Sequence, residues 1–290
     1  MTRLIVNADD FGLTPGVNRA ILELHRAGVL SSATLMARAP ATDEAVTLAR
    51  ATPTLGVGCH IVLVDGEPVL PARELPTLVS ARTGRFHPTP GAFLKRLLTG
   101  RIRAAEIEAE AAAQIRLLQG RGLALTHIDT HKHAHLFPAV LRPVLRAAQA
   151  AAIPAIRNPF EPLWSAQRTA GAPLQRRMEF RILRRFAPAF HRLVVQSGLA
   201  TTHGALGVLA TGTLNAATLR DLLASPPQGV FELVTHPGYN DSDLARIRTR
   251  LLASRAVELE ALQTLRTLPG LNLVSFAALQ ASSPPTCAPT

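Results

Sequence analysis

Short apolar, β-branched runs alternate with longer stretches of helical period along most of the chain, and this alternation narrows the fold more than any other feature. RLIVN (3–7), SATLM (32–36), LGVGCHIVL (55–63), LALTHID (123–129), IPAIR (153–157), 205–209, GVFELVTH (229–236) and LNLVSF (271–276) read as strands. Thr14-Pro15 supplies an N-cap and a proline at the first position of a helix that runs towards Gly28. Further helices are expected at 42–50, 102–119, 138–151, 215–224 and 243–267. A Pro/Gly-rich loop over 65–100 holds one short helix near 93–98. The stretch 158–205 has prolines and an Arg-rich amphipathic segment at 175–186, but no clear period. Repeated strand–helix units imply a parallel sheet covered by helices. Seven or eight of them in 290 residues predict one α/β domain over 1–280, a distorted (β/α) TIM-like barrel of seven or eight parallel strands, with 281–290 as a flexible tail.

Composition excludes several classes. Apolar residues make up 47% and charged residues 18%, the balance of a globular chain and not of a disordered one. No apolar run approaches the ~20 residues of a membrane span. MTRLIVNADDFG has no secretory h-region, and Cys59 and Cys287 form no CxxC pair, so a cytoplasmic protein is expected. Thirty-one Lys and Arg against twenty Asp and Glu give +11, which suits nucleic acid, an anionic membrane surface or an anionic substrate. With Lys95 and Lys132 the only lysines, coding bias explains Arg over Lys but not the positive excess. Aromatics are only 4% and no recognition motif accompanies the charge, which argues against nucleic acid. Weak association with anionic lipid headgroups fits better.

Four polar clusters close predicted strands, at the ends where α/β folds place their active sites. Asp9-Asp10 follows the first strand. One carboxylate of such a pair can bind a metal while the other serves as general base, although a turn or N-cap pair would look the same. His60 ends an apolar strand, where a structural histidine is the commoner case, and alternation sends Cys59 to the opposite face as core packing. His127-Ile128-Asp129-Thr130-His131-Lys132-His133-Ala134-His135 carries the strongest signal. An extended strand would aim His127, Asp129 and His131 at one face as metal ligands or their supports, and the competing readings are a solvated loop or an adventitious metal binder. His236, before Pro237-Gly238, has a pKa suited to a general acid. An aspartate and two histidines from three strand ends would make an open O,N,N site for metal-assisted hydrolysis of an amide or ester. No GxSxG elbow or phosphate-binding P-loop supports a serine hydrolase or an NTPase.

NADDFG, GxH at 58–60, HxDxHxH at 127–133 and HPG at 236–238 occur in an order and at positions that resemble the YdjC/ChbG family of carbohydrate deacetylases. The resemblance covers nearly the whole chain. It implies a distorted β/α barrel that uses a divalent metal to remove acetyl groups from N-acetylated sugars. Asp10, His60 and His131 would bind the metal, Asp9 would be the general base, and His236 would protonate the departing amine. SATLMARAP (32–40), GCHIVLVDG (58–66), THKHAH and IRNPFEP (156–162) further resemble the hopanoid-biosynthesis-associated (HpnK-type) branch. That branch implies an N-acetylglucosaminyl hopanoid as substrate, and a protein peripheral to the inner membrane. Arg157, Asp129 and His133 are candidate sugar contacts, with a rim salt bridge as the other reading of Arg157. The metal could be Zn, Mg, Mn or Co, and oligomeric state leaves no trace in the sequence. Two alternatives stay open: deacetylation of soluble chito-oligosaccharides, and a non-catalytic glycolipid- or nucleic-acid-binding protein with a structural metal.

Overall fold

A ten-residue strand, β1 (Thr2–Phe11), lies at the centre of the computed structural model, which describes residues 2–169, 171–267 and 271–279. Along the chain follow α1 (Pro15–Arg26), β2 (Ser32–Leu35), α2 (Thr42–Arg50), β3 (Gly56–Ile61), α3 (Pro90–Leu98), α4 (Ala104–Gly120), β4 (Ile128–Thr130) and α5 (Pro138–Ala150). Then come α6 (Leu163–Arg168), α7 (Leu174–Leu183), α8 (Ala187–Ser197), β5 (Ala205–Leu206), α9 (Ala216–Leu223), β6 (Gly229–Thr235), α10 (Ser242–Ala245), α11 (Ser254–Gln263) and β7 (Asn272–Leu273). All named pairings are parallel, in the order β4-β3-β2-β1-β6-β5. One edge of β1 takes β6. The other takes β7 at residues 3–4 and β2 from Asn7 onwards, so β7 fills the gap left at the start of the strand.

The sheet curls into the expected distorted barrel, but two arcs are thinner than the sequence predicts. Residues 153–157 form no full strand. Pro154 has no N–H to give a ladder, and pairing is limited to bridges at Ile128–Ile156 and Ala155–Ala200. The strand expected over 205–209 stops at Leu206, because Gly207 turns the chain with φ +82°. Hydrogen bonds still carry the ring round. Arg157 N–H donates to the Ile128 carbonyl at 3.0 Å, Ile156 N–H to that of Ala200 at 2.9 Å, and His203 N–H to that of Val230 at 2.8 Å.

Strand alternation explains how the barrel interior is layered. Ile5, Ala155 and Val230 pack with Phe276 and Leu279 in one apolar cluster. Two residues further along the same strands, the same face presents Asn7, Arg157 and Glu232, all buried. The apolar plug therefore closes one end of the barrel, and a charged layer lies above it, towards the strand C-termini. Outside the ring, a larger core joins the sheet to its helices and includes Cys59 on the face opposite His60.

Thr14 caps α1 as expected, its side chain accepting from Val17 N–H with Pro15 in the first turn. α4 is a helix with an inward polar stripe. Glu106, Glu110 and Gln114, one turn apart, are buried and accept backbone N–H groups from residues 62–78. This stripe pins the long 65–100 segment at residues 69–70 and 77–78. The expected helix over 243–267 is instead split into α10 and α11, with turns between them. The stretch 158–205, without a clear period, folds as α6, α7 and α8. The expected tail at 281–290 and the boundary at 280 lie outside the described residues.

Candidate active site and metal centre

Asp9 and Asp10 end β1, His60 lies near the end of β3, His131 follows β4 and His236 follows β6. Parallel strands bring these ends to one rim, so residues far apart in the chain meet there. Asp10 occupies the left-handed region at φ +65°, a conformation that Asp tolerates better than most residues, and this turns adjacent carboxylates to different tasks.

Asp10 Oδ1 lies 3.5 Å from His60 Nε2 and 3.3 Å from His131 Nδ1, and the two ring nitrogens are 3.2 Å apart. A divalent ion with bonds of ~2.0–2.2 Å separates neighbouring ligands by ~3.0 Å at octahedral angles and ~3.4 Å at tetrahedral ones. The three donors match that spacing. Asp10 Oδ1 is also buried without a hydrogen-bond partner, the state of an acceptor waiting for a cation. The set fits a metal and leaves further coordination positions open. Asp9, His60 and Asp129 also cluster closely, but Arg157 and internal hydrogen bonds already occupy those carboxylates, so that group is not a second metal site.

Partners orient two of the three candidate donors. His60 Nδ1 lies 2.7 Å from Asp129 Oδ1, so its N–H donates there and Nε2 keeps its lone pair for the metal position. Asp10 Oδ2 accepts from Arg255 of α11. Burial works against a charged His60, but Asp129, Asp9 and Asp10 outweigh it and raise the imidazole to about 9. Burial also opposes ionisation of Asp10, yet Arg255, His131 and His60 hold it well below the usual carboxylate range. At His131 burial prevails over Asp10 and lowers the pKa.

Behind the ligands, Arg157 is 0% exposed and held by three carboxylates. Its guanidinium donates to Asp9 Oδ2 at 2.9 Å and Oδ1 at 2.6 Å, and to Glu232 Oε1 from Nε at 2.8 Å. The third carboxylate, Asp129, meets it through Oδ2 at 2.5 Å. Of the two expectations for Arg157 the ion-pair reading fits, with the partners inside the barrel and the side chain closed to solvent. Asp129, expected as a sugar contact, is also 0% exposed and stands behind His60, its carboxylate turned to the imidazole. Burial raises Glu232 to about 7 even with Arg157 beside it. At Asp9 burial opposes ionisation, but Arg157, His60 and His236 keep the carboxyl charged far below its ordinary range.

His236 is 8% exposed, with Nε2 3.7 Å from Asp9 Oδ2 and Nδ1 3.7 Å from Glu258 Oε2. Its backbone N–H donates to the same Glu258 oxygen at 2.7 Å. Burial would lower its pKa, but Glu258, Asp9 and Asp10 outweigh burial and raise it, which favours the protonated ring. His133, at φ +52°, is half-buried with Nδ1 unpartnered. Burial, with Arg157 adding to it, brings it down to about 3, so it stays neutral beside the site.

The remaining histidines of the tract separate by role. His127 is fully buried and stacks on Phe276 at 3.7 Å, away from the metal ligands. Gly58 makes this possible: a Cβ there would lie 2.5 Å from His127 Cε1. His135 is fully buried with its Nδ1 2.7 Å from Thr130 Oγ1. Arg255, Glu258, Glu232 and Thr34 escaped the sequence reading. Glu232 left a trace, as a carboxylate inside the apolar run GVFELVTH. Arg255 and Glu258 look like an ordinary surface i,i+3 pair.

The family profile described as YdjC-like protein matches residues 3–268. A carbohydrate deacetylase from Brevibacillus brevis is 44% identical over 158 residues, which cover 54% of this chain and 60% of the relative. This match therefore spans less than two thirds of that protein's length. A carbohydrate deacetylase from Thermoanaerobacter pseudethanolicus is 28% identical over 261 residues, 89% of each chain. The crystal structure of an Enterococcus faecalis protein named for cellobiose-phosphate cleavage superposes with a TM-score of 0.75 at 26% identity. It covers 96% of this chain and 98% of its own. A profile match that takes in almost the whole fold, barrel and rim together, makes this chain a member of the YdjC-like protein family.

Proposed function

We propose that the chain is a divalent-metal-dependent carbohydrate deacetylase that removes the acetyl group from an N-acetylglucosamine unit, with that unit carried on a hopanoid glycolipid. The observation that carries the reading is the O,N,N donor set of Asp10, His60 and His131, with its partnerless carboxylate oxygen, next to the Asp9–His236 pair. The names of the relatives support the carbohydrate deacetylase part. A bound divalent ion, be it Zn, Mg, Mn or Co, would supply Lewis acidity for the amide carbonyl and acidify water enough for a weakly basic carboxylate to take its proton.

Asp9, ionised at any working pH, accepts that proton on Oδ2, the oxygen that faces His236. The water oxygen forms the new C–O bond as the C–N bond breaks. His236, whose pKa Glu258, Asp9 and Asp10 raise, delivers a proton to the leaving nitrogen, so that acetate and a free amine result. Arg157 keeps Asp9 in place and charged without touching substrate. The half-buried His133, neutral beside the site, is the proposed contact for a sugar hydroxyl or the acetamide.

The lipid-linked reading rests on the HpnK-type motifs and on the +11 charge, which suits weak contact with anionic headgroups and a place peripheral to the inner membrane. Soluble chito-oligosaccharides are the competing substrate, and the relatives' names fit them equally. The deciding experiment measures acetate release from N-acetylglucosaminyl hopanoid and from diacetylchitobiose side by side. Turnover on the lipid alone is the expected result. Turnover on the soluble sugar alone would keep the chemistry and discard the hopanoid. Silence on both, with metal bound, would leave the non-catalytic reading.

A further inference from the structure

α7 buries none of its residues. Leu174, Met178 and Ile182, spaced i, i+4 and i+8, are 74%, 55% and 54% exposed and form an apolar stripe turned outwards. Arg181 and Arg185 stand exposed beside it. The opposite face anchors the helix: Phe180 packs on Ala166, Ala172 and Leu209, and Leu183 and Phe186 lean on the main core. Charge is concentrated here too. Residues 168–185 contain six arginines and one acid, Glu179, whose carboxylate is bonded to Gln175.

The stripe also lies at the catalytic end of the barrel. The α6–α8 segment leaves the ring just after Arg157, at the end of the barrel where the ligand-bearing strands finish. Leu209, under Phe180, follows the C-terminus of β5. Phe186 packs edge-on against Phe137, 5.3 Å between centroids, and Phe137 closes the loop that carries His131 and His133.

We propose that α7 is an interfacial helix that docks the catalytic rim on an anionic phospholipid bilayer. An apolar stripe flanked by arginines is the pattern of a helix lying in the headgroup layer, where the side chains enter the acyl boundary and the guanidinium groups meet lipid phosphates. A second copy of the chain is a poor occupant, because two such arginine-rich faces repel each other. Nucleic acid would leave the apolar stripe in water. This inference deepens the lipid-linked reading and rests on it for the purpose of docking, but vesicle binding is measured without turnover, so the two can fail separately.

The test is sedimentation of the full chain with vesicles of phosphatidylcholine, with and without phosphatidylglycerol. Binding is expected only with phosphatidylglycerol, and it weakens as salt rises. The double variant Met178→Asp/Ile182→Asp loses binding. Arg181→Glu/Arg185→Glu weakens it about thirtyfold or more, from two lost headgroup attractions. Divalent-metal content and the thermal melt stay at wild-type values in both variants. No binding to anionic vesicles, or binding that survives both double variants, overturns the proposal. So does a dimer in solution that Met178→Asp/Ile182→Asp dissolves while vesicles remain unbound.

Discussion

Replacing Asp129 by Asn tests how the ligand set is held, because this side chain must be an acceptor on both sides. Oδ1 takes the His60 Nδ1 proton at 2.7 Å, and Oδ2 faces Arg157 at 2.5 Å and Thr34 Oγ1 at 3.2 Å. An amide has one acceptor oxygen. If it faces His60, its NH2 group opposes the Arg157 guanidinium, donor against donor. If it faces Arg157, His60 must move its proton to Nε2, the atom the metal needs. Loss of a support of this kind costs about 10–100-fold in metal affinity, or ~1.4–2.8 kcal/mol. The fold should suffer less than the ~3–5 kcal/mol of a fully broken buried pair, since Asp9 and Glu232 still hold Arg157.

The pH dependence separates this effect from proton competition. His60, raised to about 9, must lose a proton when it binds metal, so apparent affinity in the wild type climbs about tenfold per pH unit up to about pH 9. Removing the Asp129 charge lowers the His60 pKa, so the variant reaches its plateau at a lower pH. The comparison therefore belongs above pH 9, where only orientation remains. The assay is competitive chelator titration of Zn or Co across pH, with a thermal melt at each point. A variant whose high-pH affinity and pH slope both match the wild type would refute the idea that Asp129 orients His60.

Asp9→Asn should abolish acetate release while metal still binds, and loss of metal in this variant would overturn the division of roles between Asp9 and Asp10. Glu258→Gln removes the largest influence that raises His236. If His236 is the acid proposed, the alkaline limb of the kcat profile should move to lower pH, and an unmoved limb would assign the acid elsewhere. Gly58→Ala puts a methyl group 2.5 Å from the His127 ring, so the melt should show a loss of about 1–3 kcal/mol from overpacking.

The residues that announced the site did so because chemistry and topology coincide at strand ends. Asp9, Asp10, His60, His131 and His236 each close an apolar run, and a parallel barrel gathers those ends on one rim. The supporting groups were hidden because their signals belong to tertiary structure. Glu106, Glu110 and Gln114 lie at helical spacing within the expected 102–119 helix, which does not say that they point inwards to bind the backbone of residues 62–78. Arg255 and Glu258 read as part of a continuous helix over 243–267. In the fold α11 is offset from α10, and these two residues meet Asp10 and His236 instead. Arg157 showed itself as a charge at the end of an apolar run, but period alone could not tell an interior ion cluster from a rim contact. In 158–205 helix formation depends on packing, with α8 set on α5 and Phe190 fully buried, more than on any period in the residues themselves.

Metal content and acetate release, measured together, test the central claim most directly. Protein stripped by a chelator should hold no divalent ion and release no acetate from an N-acetylated sugar. Reloading should restore one ion per chain and turnover in step, and Asp10→Ala or His131→Ala should lose both. Acetate release that continues at full rate in the stripped protein, or in either variant, would contradict the account.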